Sequence, residues 1–539
     1  MACCLLFLLL GLVVLPYPGF QTDEVLFSSV IYEPRYLEGW VQIFKHRVPT
    51  MVMSYIGSLK ALLYIGLFKL WPPSPWSVRL PVIVAGAATV WLFFLLLRDT
   101  LGRRAAVAGA AMLATDTTFL LTTTFDWGPV ALQHLLLVGG LVLLVRSQRV
   151  ERRPNLALAG AFFLFGLGLW DKAIFVWMLS GLGLALLVVY PRELLRALSL
   201  RRVVIALTAL CLGATPLIIY NARSGGATFA GAQYSGERFA TKARFLVHAL
   251  DGSSLFGYVV REDTGHRRSE APDSLERISL AASDAAGRPR INLLVPALAL
   301  AVALLPFIWR TPARRVVLFA LIGMAVGWLQ MALTRDAGGS THHVVLLWPF
   351  PHLVIAAAFA AASRRLRRFG LAALAVVLAV LCASNLLVTN EHLAQFVRNG
   401  GPAIWTDAVY PLATALEEAG RPPVTVLDWG IVDCLRILGR GRLPLHQAID
   451  LASKETLNPA DRRSLDWSLS SPQRVFVSHT EGEEAIPGAG VRFEAHARQA
   501  GFHKQLLGVI HDRHRRPVFE VSRFRQAGQA PATSAPARR

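Results

Sequence analysis

Apolar residues gather into eleven blocks along this chain, at 2–19, 79–97, 105–121, 128–145, 156–170, 173–190, 203–220, 291–309, 315–333, 344–363 and 369–388. Most are roughly 16 to 21 residues long, the length a helix needs to cross a bilayer. Between alternate blocks stand five basic connections: Arg98/Arg103/Arg104, Arg146/Arg149/Arg152/Arg153, Arg192/Arg196/Arg201/Arg202, Arg310/Arg314/Arg315 and Arg364/Arg365/Arg367/Arg368. The positive-inside rule assigns each to the cytoplasm. The remaining short connections, near 122–127, 171–172 and 334–343, carry few basic residues. The alternation predicts eleven spans, with the N-terminus inside and the C-terminus outside. It makes 156–190 a hairpin with Asp171 and Lys172 at its outer turn. An amphipathic stretch at 50–71 would invert every later connection if it crossed the membrane. It is therefore expected to lie in the outer interface, anchored by Lys60, Lys69 and Trp71.

The pattern predicts a mainly α, polytopic membrane bundle over 1–389, with outer loops at 20–78 and 221–290. The second loop holds an amphipathic piece near Phe239 to Leu250. A small extracytoplasmic α/β domain follows at 390–525. It is read as a helix over Trp405 to Glu418, strands at Val424 to Leu427 and Arg474 to Ser478, and a hairpin over Lys504 to Phe524. The Ala/Pro/Ser-rich tail 526–539 is expected to be disordered. No internal repeat is visible.

Composition agrees. Of 539 residues, 54% are hydrophobic and only 17% charged, against about a quarter charged in soluble domains. The net charge of +20 sits mostly in the basic connections, which argues against nucleic-acid binding. The five cysteines are scattered, without CxxC spacing, so disulfides and a cysteine metal site are not expected. The N-terminal stretch lacks basic residues and a small-residue cleavage site, and reads as a retained first helix.

Four outward features carry candidate chemistry. Asp23-Glu24 follow the first span, and a carboxylate there can act as a general base toward a hydroxyl or amine. The plainer alternative is a solvated loop start. Asp126, in Phe125-Asp126-Trp127-Gly128-Pro129, sits on the same membrane face. It is either a helix cap or a partner to Asp23, sharing a divalent metal or dividing base and positioning roles. Lys172 is either a point charge for a phosphate or half of an internal pair with Asp171. His342-His343 precede Trp348-Pro349-Phe350-Pro351 and are either phosphate-binding or interfacial. Adjacent histidines on a helix diverge, which disfavours joint ligation of one ion. No Walker loop, GxGxxG, GxSxG or HExxH is present, so a nucleotide cofactor is not expected. An activated donor for an outward site has to arrive through the bilayer, on a lipid carrier.

In order and sidedness these residues resemble the polytopic lipid-linked-sugar transferases of the GT-C type. That group includes the protein O-mannosyltransferases, the aminoarabinose transferase acting on lipid A, and related lipopolysaccharide transferases. The resemblance covers about 20–365. It rests on Asp23-Glu24, Ser77-Val78-Arg79-Leu80-Pro81, Gly102-Arg103-Arg104, Asp126, Gly168 to Lys172, Pro216 through Tyr220-Asn221 to Gly225, and Leu347 to Pro351. Two departures stand out: His342-His343 replace an Arg-Tyr-like pair, and Arg47-Val48-Pro49 replaces a Glu-Lys-Pro element.

The resemblance implies inverting transfer of a hexose or pentose from a polyprenyl-phosphate donor to an envelope lipid, glycan or protein, at a bacterial-type plasma (inner) membrane. Asp23, Glu24 and Asp126 are the implied catalytic residues. Arg47, Arg79, Lys172, Tyr220, Asn221, His342 and His343 are the implied substrate-binding ones. No cofactor is firmly implied, although a divalent metal remains open. The competing readings are a transporter or assembly subunit using the C-terminal domain for binding, and a polysaccharide polymerase or ligase.

Overall fold

The apolar blocks all become helical in the computed structural model, which describes residues 1–34, 37–148, 153–230, 233–262, 265 and 268–526. Six helical stretches are long and apolar enough to cross a membrane: Pro75–Leu101, Val130–Ser147, Pro154–Asp171, Ala313–Leu333, Thr341–Arg365 and Arg367–Asn399. Three bent pairs bring the number to nine: Arg103–Thr115 with Thr117–Phe125 (57°), Phe175–Val189 with Pro191–Ala197 (102°), and Leu200–Gly213 with Thr215–Ser224 (70°). The first and eighth expected spans, Ala2–Val14 and Leu294–Ala303, are 13 and 10 residues long. Length alone therefore supports up to nine spans among the described residues, not eleven. The protein is a mainly α, polytopic membrane chain.

The bends have local causes. At Asp116 the third span breaks, and the carboxylate caps the second half by accepting from Phe119 N at 2.6 Å. It also accepts from Trp348 Nε1 at 3.1 Å and His352 Nε2 at 3.2 Å. A carboxylate inside an apolar bundle is tolerated only when its lone pairs are taken in this way. Glycines set the closest helix approaches. A Cβ on Gly166 would lie 2.2 Å from Leu210 O, and one on Gly213 would lie 2.4 Å from Phe163 O. Small residues let helix backbones meet where apolar driving force is weak.

Contacts divide the chain into two units. The first comprises Met1–Tyr17, Glu33–Glu262 and Pro272–Val397. Besides the spans it holds an antiparallel sheet in the first loop: β1 (Gly39–Ile43), β2 (His46–Met53) and β3 (Ile56–Gly57), in that order. The expected interfacial helix over 50–71 is thus corrected. Residues 50–57 are mostly strand, and only Leu59–Leu70 is helical. Twelve residues reach about 18 Å, too short to span. Loop 221–290 contains the expected helix, Phe239–Leu250, and an unexpected second one, Ser274–Ala285. Lys242 on the first donates to Ala332 O (3.0 Å) and Thr334 O (2.6 Å), placing a cation at the end of Ala313–Leu333, where the helix dipole favours one.

The second unit comprises Pro18–Tyr32, Asp263–Ala271 and Arg398–Arg539. Its five-stranded sheet runs β5 (Leu445–Gln447), β4 (Val424–Val426), β6 (Val475–His479), β8 (Pro517–Gln526), β7 (Phe502–His511). β4 is parallel to both β5 and β6, whereas β8 is antiparallel to β6 and β7. Leu427, Leu465, Phe476, Phe493 and Phe524 fill one core. The expected helix starts later, at Val409–Glu418, and the expected tail lies, from 527 onward, outside the described residues.

Asp428, just beyond β4, ties this unit's loops together. It pairs with His479 Nδ1 at 2.7 Å and accepts from the N–H groups of Trp429 (2.7 Å), Ala485 (2.9 Å) and Ile486 (3.0 Å). Burial alone would raise its proton affinity. The hydrogen bond and charge of His479, then the backbone donors, outweigh that and hold the carboxyl below its ordinary value. A lowered folded pKa gives stabilisation that is complete above the unfolded value of about 4 and is lost as pH falls through the folded one. An acid titration of tryptophan fluorescence should show this unit loosening below about pH 4. Asp428→Asn should loosen it already at neutral pH and flatten the acid dependence; an unchanged titration would contradict the assignment.

Candidate active site

Asp126 ends the helix Thr117–Phe125 in the left-handed region, at φ +43°. Asp is among the few non-glycine residues that tolerate this conformation. The turn aims Oδ1 at Ala131 N (2.8 Å), capping the next helix, and Oδ2 at Lys60 Nζ (2.7 Å). Both side chains are buried, 2% and 1% exposed. Asp126 is therefore both a cap and half of an ion pair. Lys60 is corrected: the sequence places it at an interface, but it reaches inward from the first turn of Leu59–Leu70. Two charges this far from water hold together only with near-contact geometry and further hydrogen bonds, and Asp126 has both.

The next residues bring in Lys172. Gly128, at φ +81°, presents its carbonyl to Lys172 Nζ at 2.9 Å. A Cβ there would sit 2.9 Å from His342 Cδ2 and 3.2 Å from Lys172 Nζ. Glycine is thus required by the backbone and by the packing of both groups. Lys172 is held from behind by the first-loop sheet. It bridges Ile56, Ala173 N donates to Tyr55 O (2.8 Å), and Trp170 Nε1 donates to Thr50 O (2.7 Å). Asp171 takes a different partner, accepting from Gln133 Nε2 at 2.8 Å. His342 Nδ1 contacts Ser340 Oγ at 2.7 Å, and the two histidine rings lie 4.3 Å apart edge to face. Among the described residues, His343 Nδ1 is buried without a hydrogen-bond partner. The first loop and three of the turns that join the spans thus bring two lysines, two histidines and two carboxylates together.

Asp23 and Glu24 belong to the other unit. Gln21 caps the helix Thr22–Ser29 in a reciprocal capping box with Glu24. Glu24 is buried, 1% exposed, whereas Asp23 is half-buried. The adjacent carboxylates therefore differ: Glu24 builds the helix start, and Asp23 is the more accessible oxygen donor.

The other expected site residues scatter. Arg79 is fully buried, donates to Leu15 O at 2.5 Å and stacks on Phe125 at 5.0 Å, bracing two span ends. Tyr220 donates to Glu38 Oε2 at 2.7 Å, and Asn221 contacts Leu217 O and Thr228. Arg47 is exposed on the β1–β2 hairpin, 4.4 Å above Trp40. Sequence reasoning missed Lys60 and Gln133. A lysine in the first turn of a largely apolar helix, well away from the terminal Lys69, was the available signal. Among the described residues, no three His, Cys, Asp or Glu side chains gather as a metal-holding group.

Comparison with known proteins bears on the fold and on one stretch of the sequence. The sequence model of the dolichyl-phosphate-mannose-protein mannosyltransferase family matches residues 59–220, a stretch that includes Lys60, Asp126 and Lys172. The fold is similar to that of ArnT from Cupriavidus metallidurans bound to undecaprenyl phosphate, with 13% identity, a TM-score of 0.60, and coverage of 96% of this chain and 97% of that one. The apo form of the same protein gives 12%, 0.58, 95% and 96%. The oligosaccharyltransferase AglB from Archaeoglobus fulgidus gives 13%, 0.47, 89% and 69%. No curated protein sequence matches the chain significantly. The chain shares the fold of ArnT over nearly its whole length. The membrane-glycosyltransferase reading of the sequence stands.

Removing one half of the buried pair should strand the other. Lys60→Met is expected to lower stability by about 3–5 kcal/mol. Lys60→Met with Asp126→Leu should recover much of that, since an apolar pair replaces an ion pair. Thermal unfolding of the detergent-solubilised protein checks both. An unchanged unfolding midpoint in Lys60→Met would contradict the pairing.

Proposed function

We propose that this chain transfers a hexose or pentose, with inversion, from a polyprenyl-phosphate donor to an envelope lipid, glycan or protein. The reaction would run on the extracytoplasmic side of a bacterial-type plasma membrane, where the C-terminal unit would also lie. The observation that carries the reading is the buried Lys60–Asp126 and Lys172 cluster, inside the family-matched stretch of an ArnT-like fold. A fixed set of cations at the outer ends of apolar helices suits the phosphate of a lipid whose tail stays in the bilayer. The undecaprenyl phosphate bound to ArnT is a ligand of that kind.

In this mechanism Asp23 takes the proton of the acceptor hydroxyl or amine as that atom bonds to the anomeric carbon. The bond from the anomeric carbon to the phosphate oxygen breaks, and its electrons stay on the phosphate. Lys172 and His342 stabilise the negative charge of the departing lipid phosphate. Asp126 holds Lys60 and the turn that presents Gly128 to Lys172. Glu24 maintains the helix that carries Asp23.

A strain lacking the chain should accumulate a polyprenyl-phosphate sugar and lose that sugar from one envelope component, both read by mass spectrometry. Restoring the wild-type chain should reverse both changes. Restoring Asp23→Asn should not, with transfer reduced by roughly 10²-fold or more, the scale of a lost general base. Unchanged lipid and envelope pools in the deletion strain would overturn the proposal.

A further inference from the structure

The helix Thr22–Ser29, which carries Asp23, is clamped at both ends by the C-terminal part of its own unit. At the front, Gly19 N donates to Trp405 O at 2.8 Å. A Cβ on Gly19 would lie 1.7 Å from Thr406 O, so only glycine fits there. Phe20 packs edge-on against Tyr410 at 5.6 Å, and its carbonyl accepts from Cys434 Sγ at 3.3 Å. At the back, Ser29 Oγ donates to Asp433 Oδ1 at 3.1 Å, and Asp433 is itself ion-paired with Arg436. Just beyond, Gly441 lies against Tyr32, where a Cβ would approach the Tyr32 Cβ to 2.8 Å. Cys434, Asp433 and Arg436 all belong to one short helix, Val432–Leu438.

From this geometry we infer that Val432–Leu438 positions the proposed base, with Asp433 a positioning residue that acts on Asp23 through Ser29. The inference rests on the proposed role of Asp23. A helix of eight residues is too short to hold its own conformation in water, so the direction in which Asp23 points is set by what grips the helix. A general base has to be held within roughly half an ångström to work, and a misplacement of about 1 Å costs on the order of 10²-fold in rate. The electrostatics agree with the link. Burial raises the proton affinity of Asp433, Arg436 and the Ser29 hydrogen bond lower it, and the charge of Asp23 raises it again. The C-terminal unit then positions the proposed base.

The test uses the full-length protein in nanodiscs, with lipid-linked sugars extracted from the deletion strain as donor and envelope material from that strain as acceptor. Ser29→Ala removes one hydroxyl and leaves the sheet domain intact. Asp433→Asn keeps the shape of the other partner. Asp433→Ala removes it. Asp23→Asn is the reference for the chemical step. The expected result is a fall in kcat of about tenfold or more for Ser29→Ala and Asp433→Ala, within the scale of a misplaced group. Donor KM should change less than threefold, and the unfolding midpoint should hold in Ser29→Ala, which leaves the Asp433–Arg436 pair intact. Asp433→Asn should keep more activity than Asp433→Ala, and the double variant Ser29→Ala with Asp433→Ala should be no worse than the lower single one. Full rates in Ser29→Ala and Asp433→Ala, beside an inactive Asp23→Asn, would overturn the inference alone. A loss in Ser29→Ala that tracks a lowered unfolding midpoint would also overturn it, by reducing the clamp to fold support. Full activity in Asp23→Asn would overturn the base assignment, and the inference with it.

Discussion

The buried contact between Lys60 and Asp126 is the interaction on which the membrane unit's candidate site depends. Neither charge survives there alone, because an unpaired ion in a low-dielectric interior costs several kcal/mol. The pair therefore fixes two things together. It holds the helix Leu59–Leu70 inward, against the break after Thr117–Phe125. It also keeps Asp126 in the left-handed turn that turns the Gly128 carbonyl toward Lys172. From Lys172 the same order passes to the first-loop sheet through Ile56 and Tyr55. One ion pair thus joins the start of the family-matched stretch to its middle.

The second unit follows a different logic. The helix bearing Asp23 has little stability of its own, and its position comes from Trp405, Tyr410, Asp433 and Cys434. The grip on Thr22–Ser29 gives this unit the task of holding the proposed base still. Cations are fixed by burial in the membrane unit, and the proposed base is fixed by packing in the other.

Much of this is legible in the sequence, for reasons that particular residues make plain. Apolar blocks and arginine connections report on the bilayer directly, so the helices lie where the pattern puts them. The strands at Val424, Val475 and Phe502 to Gln526 are recoverable from β-branched and aromatic runs. Lys60 is misread because a lysine at an interface and a lysine buried against a carboxylate look alike from neighbouring residues. Only its partner, 66 positions away, separates the two. The β1–β3 sheet escapes notice because its strands are short and the third has two residues. The contact between Ser29 and Asp433 spans 404 positions, and no local pattern encodes it. Asp116 hides inside an apolar block because its partners, Trp348 and His352, lie more than 200 positions away.

The central claim is that sugar leaves a lipid monophosphate on a protein whose base is Asp23. The most direct measurement reconstitutes the purified chain in nanodiscs with the lipid-linked sugars and envelope acceptor of the deletion strain, and follows the lipid product by mass spectrometry. The account predicts that free polyprenyl phosphate appears in step with glycosylated acceptor, and that Asp23→Asn abolishes both. Release of a polyprenyl diphosphate, or transfer undiminished in Asp23→Asn, would contradict it.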